Sequence, residues 1–240
     1  MIASTLTTLA ILATSLGPRP LALRAAYPQP LLRAQPPRCA TSYEEGDYLI
    51  SAISGDGSIS VKAVVTTALV SEASKLQGLG GLAAAAVGRA LTCTMLVSDG
   101  LKDEESFQVK FAGDGPLRGV FAVCNGRLES RGYVGNPAVT LPPNAKGKLD
   151  VGGGVGKGSL QVVRTKQLPG ATTPTQYSSI TEIKSGEIPE DINYFLHESE
   201  QKEGALPPGV YVQGSKGSLD PAYPECADVK ASGGWYVSLL

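Results

Sequence analysis

Histidine is nearly absent from this sequence, and paired cysteine and excess basic charge are missing from it altogether. His197 is the single histidine. A Ser-His-Asp relay would have to recruit it, yet it shares a predicted helix with Asp191 and Glu198 on the side away from the apolar stripe, without the burial that tunes a base. No Gly-x-Ser-x-Gly elbow accompanies it. The four cysteines, Cys39, Cys93, Cys124 and Cys226, form neither a Cys-x-Cys nor a Cys-x-x-Cys pair, so the close ligand spacing of a structural zinc site is lacking. Cys93 and Cys124 read as small apolar residues inside a helix and a strand. Cys226, in the polar stretch Pro224-Glu225-Cys226-Ala227-Asp228, is expected to be the exposed thiol, with acidic neighbours that disfavour its thiolate.

A phosphate loop is missing too. The stretch 151–159, Val-Gly-Gly-Gly-Val-Gly-Lys-Gly-Ser, puts Val151 where a Walker loop needs its first glycine and Gly158 where it needs Ser or Thr, and it reads as backbone bends between sheet segments. Nothing in the chain suggests an ATP site. Acidic residues are absent before Glu44, while Arg19, Arg24, Arg33 and Arg38 precede it in a Ser/Thr/Ala/Pro-rich stretch. That is the composition of an organelle transit leader over residues 1–42, with an apolar run at 6–16 that fits a signal h-region; a plastid address is expected, with the mitochondrion as alternative. Of 21 basic residues, setting those four aside leaves 17 against 22 acidic ones, a net charge of −5, and a nucleic-acid partner is not expected. The longest weakly charged run, 79–97, carries Arg89 at its centre and reads as a buried helix rather than a membrane span.

What is plentiful is glycine and proline, 29 and 17 residues, set between short apolar runs in the manner of strands and turns. A strand is expected up to Val65 after an Asp56-Gly57 turn, then a helix capped by Thr66 or Thr67 and a second over 81–98. Period-two alternation predicts strands through Phe107, Val109 and Phe111 and through Leu117, Phe121 and Val123, the latter returning after an Asn125-Gly126 turn. The segment 174–185 reads as a hairpin or sheet edge. A last helix has Pro189 near its start and Ile188, Ile192, Phe195 and Leu196 on one face, and strands at 210–212 and 235–240 close the chain around a polar loop, 215–230. The fold class expected is α+β, mainly antiparallel sheets with flanking helices, over residues 43–240.

Six glycine-punctuated signatures follow one another: Asp114-Gly115-Pro116-Leu117, Arg131-Gly132-Tyr133-Val134, Leu149-Asp150-Val151-Gly152, Gly158-Ser159-Leu160-Gln161-Val162-Val163, Ser199-Glu200-Gln201 and Gly233-Gly234-Trp235. In order and spacing, over residues 47–240, the chain resembles the heat shock protein 33 family. The resemblance implies a redox-regulated, ATP-independent holdase whose partners are unfolded proteins, often as a dimer, and it implies no enzyme. Family members continue into a linker and a zinc domain bearing Cys-x-Cys and Cys-x-x-Cys. Those pairs are not in this sequence, so no zinc or other cofactor is expected, and the core is expected without its switch. The positions Gly113, Asp114, Gly115, Pro116, Arg131, Gly132, Ser199, Glu200, Gln201, Gly233 and Gly234 carry the resemblance with no assigned role, and the client-binding residues are unassigned because periodicity does not say which apolar face is exposed. A scaffold module, an incomplete gene product and a small-molecule enzyme stay open as alternatives.

Overall fold

The computed structural model describes residues 46–168, 170, 173–213 and 226–240; the expected leader and most of the 215–230 loop lie outside the described residues. Two antiparallel sheets enclose one apolar helix. In the first, β1 (Tyr48–Ile53) and β2 (Ile59–Val65) form a hairpin, and β2 pairs with the long β10 (Asp228–Leu239). The far edge of β10 is shared by β8 (Gly204–Ala205) and β9 (Gly209–Gln213), which pair with different stretches of it. The hairpin turns at Gly57, whose φ of 76° is easy only for glycine, while Asp56 accepts the Ser58 N–H at 3.1 Å. The second sheet runs β5 (Ser130–Val134), β4 (Val120–Asn125), β3 (Ser106–Gly113), β6 (Gly158–Lys166), β7 (Thr175–Glu182), with β7 at its edge as the 174–185 pattern suggests.

Helix α1 (Thr67–Gln77) begins where the sequence places it, but neither threonine side chain caps it. The Thr66 hydroxyl is buried and bonds Thr92 and Ser232, each at 2.8 Å. The first turn's amides find Asp47 instead, whose two carboxylate oxygens accept from Ala68 at 3.0 Å and Leu69 at 2.8 Å. A buried carboxylate is a stronger acceptor than a hydroxyl at the positive end of a helix, so the twenty-residue detour is favourable.

Helix α2 (Gly81–Ser98) passes between the sheets with sixteen of its eighteen residues buried. By length and composition it could cross a membrane, but 89% of it is enclosed by the protein, as expected of a core helix. Its small residues admit close neighbours: a Cβ at Gly88 would stand 2.7 Å from Val70 of α1 and 2.9 Å from Val210 of β9. Its one charged residue, Arg89, reaches out to bond Glu187.

The 151–159 stretch departs from the expected bends. Val151–Val155 forms a short helix, α3, despite three glycines, because the Asp150 side chain accepts from the Gly153 N–H at 2.9 Å and the loop after β3 packs against the helix end. Helix α4 (Ile188–Glu200) has Pro189 in its first turn and buries Ile188, Ile192, Phe195 and Leu196. Asp191 is buried with them, accepting the N–H groups of Lys184, Ser185 and Gly186 at 2.9–3.0 Å, whereas His197 stays exposed beside Glu198.

If the Asp47 carboxylate holds the start of α1, Asp47→Ala lowers stability by about 1–2 kcal/mol, the usual cost of a lost N-cap. Denaturant unfolding measures it. A change below a few tenths of a kcal/mol would return the capping role to Thr66 or to water.

Candidate functional site

The signature positions hold elements together. After β3 the backbone of Gly113-Asp114-Gly115-Pro116 lies against α3: Asp114 accepts the Lys157 N–H at 2.7 Å, Gly115 donates to Val155 at 3.0 Å and Leu117 to Gly154 at 3.0 Å. A Cβ at Gly113 would fall 2.0 Å from the Val155 carbonyl oxygen and one at Gly115 2.3 Å from that of Gly154, so any other residue would push α3 away. The Pro116 carbonyl accepts from Asn136 at 3.2 Å. In β5, Arg131 is exposed, while the Gly132 carbonyl accepts from Gln77 of α1 at 2.7 Å and its open side admits Leu91 of α2.

At the end of α4, Ser199 is exposed but Glu200 turns inward and forms a two-pronged ion pair with Arg164 of β6, the second contact at 2.7 Å. The Arg164 guanidinium lies 4.6 Å from the centre of the Phe107 ring, so one charge is sandwiched between a carboxylate and an aromatic face. Gln201 ends the helix with a left-handed φ of 52°. At Gly233 a Cβ would meet the Val64 carbonyl oxygen at 2.6 Å, and at Gly234 the Pro208 Cα at 2.7 Å, which explains the pair as the place where β10 is crowded on both sides. No signature residue converges with another on a reactive centre.

A different set of residues converges. Residues opposite one another in an antiparallel pair share a face, and the register places Tyr48, Ile50 and Ala52 of β1 beside Val65, Ala63 and Val61 of β2. Trp235, Val237 and Leu239 of β10 join Ala63, Val61 and Ile59 on the same side, and Ala205 and Tyr211 extend it across β8 and β9. All are apolar or aromatic, and none is charged. Leu49, Val64 and Tyr236 face the other way and are buried against the helices, so this set points outward. Tyr48, Ile50, Ile59, Val61, Tyr211, Trp235 and Leu239 are each 36–55% exposed, a contiguous apolar sheet surface of the kind that marks an interaction site.

The polar residues of β2 point inward. Lys62 faces the core, donating to the Asp99 backbone carbonyl at the end of α2 and pairing with the Asp99 carboxylate at 3.4 Å; the Ser51 hydroxyl donates to that carboxylate at 2.5 Å. Burial lowers the Lys62 pKa below the ordinary lysine value while Asp99 partly restores it. Sequence reasoning found the β2 strand but not its exposed face. The signal present was the alternation of Ser60 and Lys62 with Ile59, Val61 and Ala63, which by the usual rule would have turned the apolar set inward.

Cys226 is a correction: it is 3% exposed rather than open to solvent. The neighbouring Ala227 N–H donates to the Leu79 carbonyl at 2.7 Å and its carbonyl accepts from Ser74 at 3.1 Å, which draws the start of β10 onto the corner between α1 and α2. Cys93 and Cys124 are buried as expected, and burial pushes the Cys93 thiol up. Among the described residues no three His, Cys, Asp or Glu side chains gather in a way that could hold a metal.

Comparison with known proteins bears on what this surface does. The profile of the family described as Hsp33 protein matches residues 47–240. The 33 kDa chaperonin of Acaryochloris marina is 43% identical over 195 residues, 81% of this chain and 60% of that protein. That of Symbiobacterium thermophilum is 44% identical over 195 residues, again 81% of this chain and 61% of the other. The crystal structure of the 33 kDa chaperonin (heat shock protein 33 homolog) from Thermotoga maritima aligns with a TM-score of 0.68 at 36% identity, covering 80% of this chain and 60% of that one. The chain thus spans about 60% of the length of these relatives.

The buried thiols give a test of the corrected site. In the folded chain Cys93, Cys124 and Cys226 should alkylate no faster than the protein unfolds, read by mass spectrometry of modified peptides over time. Rapid labelling of Cys226 under native conditions would restore it as an exposed thiol.

Proposed function

The chain belongs to the heat shock protein 33 family, and on that premise we propose that it is an ATP-independent holdase that binds unfolded segments on the outward face of β1, β2 and β10. The observation that carries this reading is the uncharged apolar surface itself. Unfolded clients offer exposed apolar side chains with no fixed geometry, and burial of such area is favourable at about 25 cal/mol per Å² regardless of orientation. A flat face without buried polar groups sets no sequence requirement along most of its length, which suits many clients. The edge of β1 adds backbone groups that could pair with an extended strand.

Binding in this reading needs no oxidant, since the face stands exposed while the described thiols are buried. The acid-free, arginine-bearing stretch 1–42 supports a plastid address and a mature core over 43–240, tested by the location of a reporter fused behind residues 1–42 and by the N-terminus of the protein recovered there.

Light scattering of a thermally unfolding client measures the activity. Protection is expected to be equal under reductant and peroxide. Val61→Glu and Leu239→Glu should each raise the concentration needed for half protection by about tenfold, the equivalent of losing one buried apolar side chain. Ile180→Glu, on β7 of the other sheet and 68% exposed, should leave it unchanged. Equal loss in all three variants would reject this face, and an absence of protection in the unaltered chain would reject the holdase reading.

A further inference from the structure

The apolar face ends in a cleft of different chemistry. Between the stretch of β10 paired with β8 and the stretch paired with β9, Trp235 borders a cavity of about 550 Å³ that opens toward the start of α4. Pro189, Pro207 and Pro208 line it with Trp235, and Glu187 and Glu190 line it as well. Trp235 belongs both to the cleft and to the outward face, so an extended chain lying on the sheet reaches the cleft without turning.

Charge selects the occupant. Arg89 is committed to Glu187, with which it forms an ion pair. Glu190 is exposed and has no ion-pair partner among the described residues. Two carboxylates against one guanidinium leave the lining with a net charge of −1. A side chain that suits such a place has a long apolar stem for the prolines, a cation for the face of the indole, and a donor for Glu190. Arginine and lysine have all three.

We infer that the Trp235 cleft takes the Arg or Lys side chain of a bound segment, so that preferred clients carry a basic residue next to an apolar run. The inference rests on reading the outward face as the client surface. It gives that face a polarity: one end is fixed by the cation, and the rest of the segment spreads over β10, β2 and β1.

Trp235 is the chain's single tryptophan, so its fluorescence reports the cleft directly. The full chain is titrated with three tryptophan-free peptides that share an apolar run and differ only in a flanking Arg, Gln or Glu. The Arg peptide should bind about fivefold more tightly than the Gln peptide, with the Glu peptide weakest and the Arg peptide alone shifting Trp235 emission strongly. In E190Q the ratio of Arg to Gln affinity should fall to about one. Three equal affinities, or an Arg preference that persists in E190Q, would overturn the cleft while leaving the apolar face in place. If none of the peptides binds, the face and the cleft fall together.

Discussion

The ammonium of Lys62, part-buried beneath the first sheet and held by Asp99, is the constraint on which the exposed surface depends. Side chains in a strand alternate with period two, so fixing one residue inward fixes every second residue outward. A charge taken out of water is costly unless paired and hydrogen-bonded. Lys62 finds both a carboxylate and a backbone carbonyl at the end of α2, and Ser51 of β1 bonds the same carboxylate. A one-residue slip of β2 would bring Val61 or Ala63 to that pocket and leave Asp99 uncompensated. The ordinary preference for apolar residues inside is thereby reversed on β2, and Ile59, Val61, Ala63 and Val65 face outward.

A surface kept half-exposed in this way contributes less to folding than a buried one, and much of the stability has to come from elsewhere. It comes from the core around α2, where Leu91, Met95, Phe107, Phe111 and Ile192 are fully buried, and from the close backbone contacts that glycines permit. Gly113 and Gly115 let the loop after β3 touch α3, Gly88 lets α1 and β9 touch α2, and Gly233 and Gly234 let β10 pass between β2 and Pro208. Glu200 and Arg164 then tie the end of α4 to the centre of the second sheet. The contacts of Gly113, Gly115 and Gly88 lie away from the outward face, while Gly233 and Gly234 sit at its border beside Trp235.

Much of this scaffold was legible in local pattern. The 81–98 helix, the period-two strand around Phe107 and the Pro189 start of the last helix all depend on residues within a few positions of one another, and they fold as read, whereas the strand through Phe121 starts only at Val120, leaves Leu117 in the turn before it, and buries Ala122 and Cys124 rather than Phe121 and Val123. What was not legible depends on distant partners. Asp47 caps α1 from some twenty residues away, so a neighbouring threonine looked like the cap. Three glycines argued against α3 until the Asp150 cap and the β3 loop were in place. Cys226 looked exposed among Pro, Glu and Asp because nothing nearby in sequence reveals the bond from Ala227 to Leu79. The face of β2 was hidden for the same reason, since its inward lysine answers to an aspartate 37 residues on.

If the outward face binds clients as proposed, its degree of exposure also bears on which proteins it would hold. Its larger side chains are already about half covered by their neighbours, so each has roughly 1 kcal/mol of burial left to gain out of the 1.5–3 kcal/mol of a full transfer. Six or seven of them together reach about the low end of the ~4–15 kcal/mol that association costs in lost freedom. A folded protein touching the face with one small apolar patch gains too little to stay. An unfolded segment long enough to cover β1, β2 and β10 at once gains most of the total, and a second segment of the same chain re-binds at the high local concentration set by its tether. Discrimination between folded and unfolded proteins then follows from the length of apolar chain available, with no need for a recognition sequence beyond what the edge of the face adds.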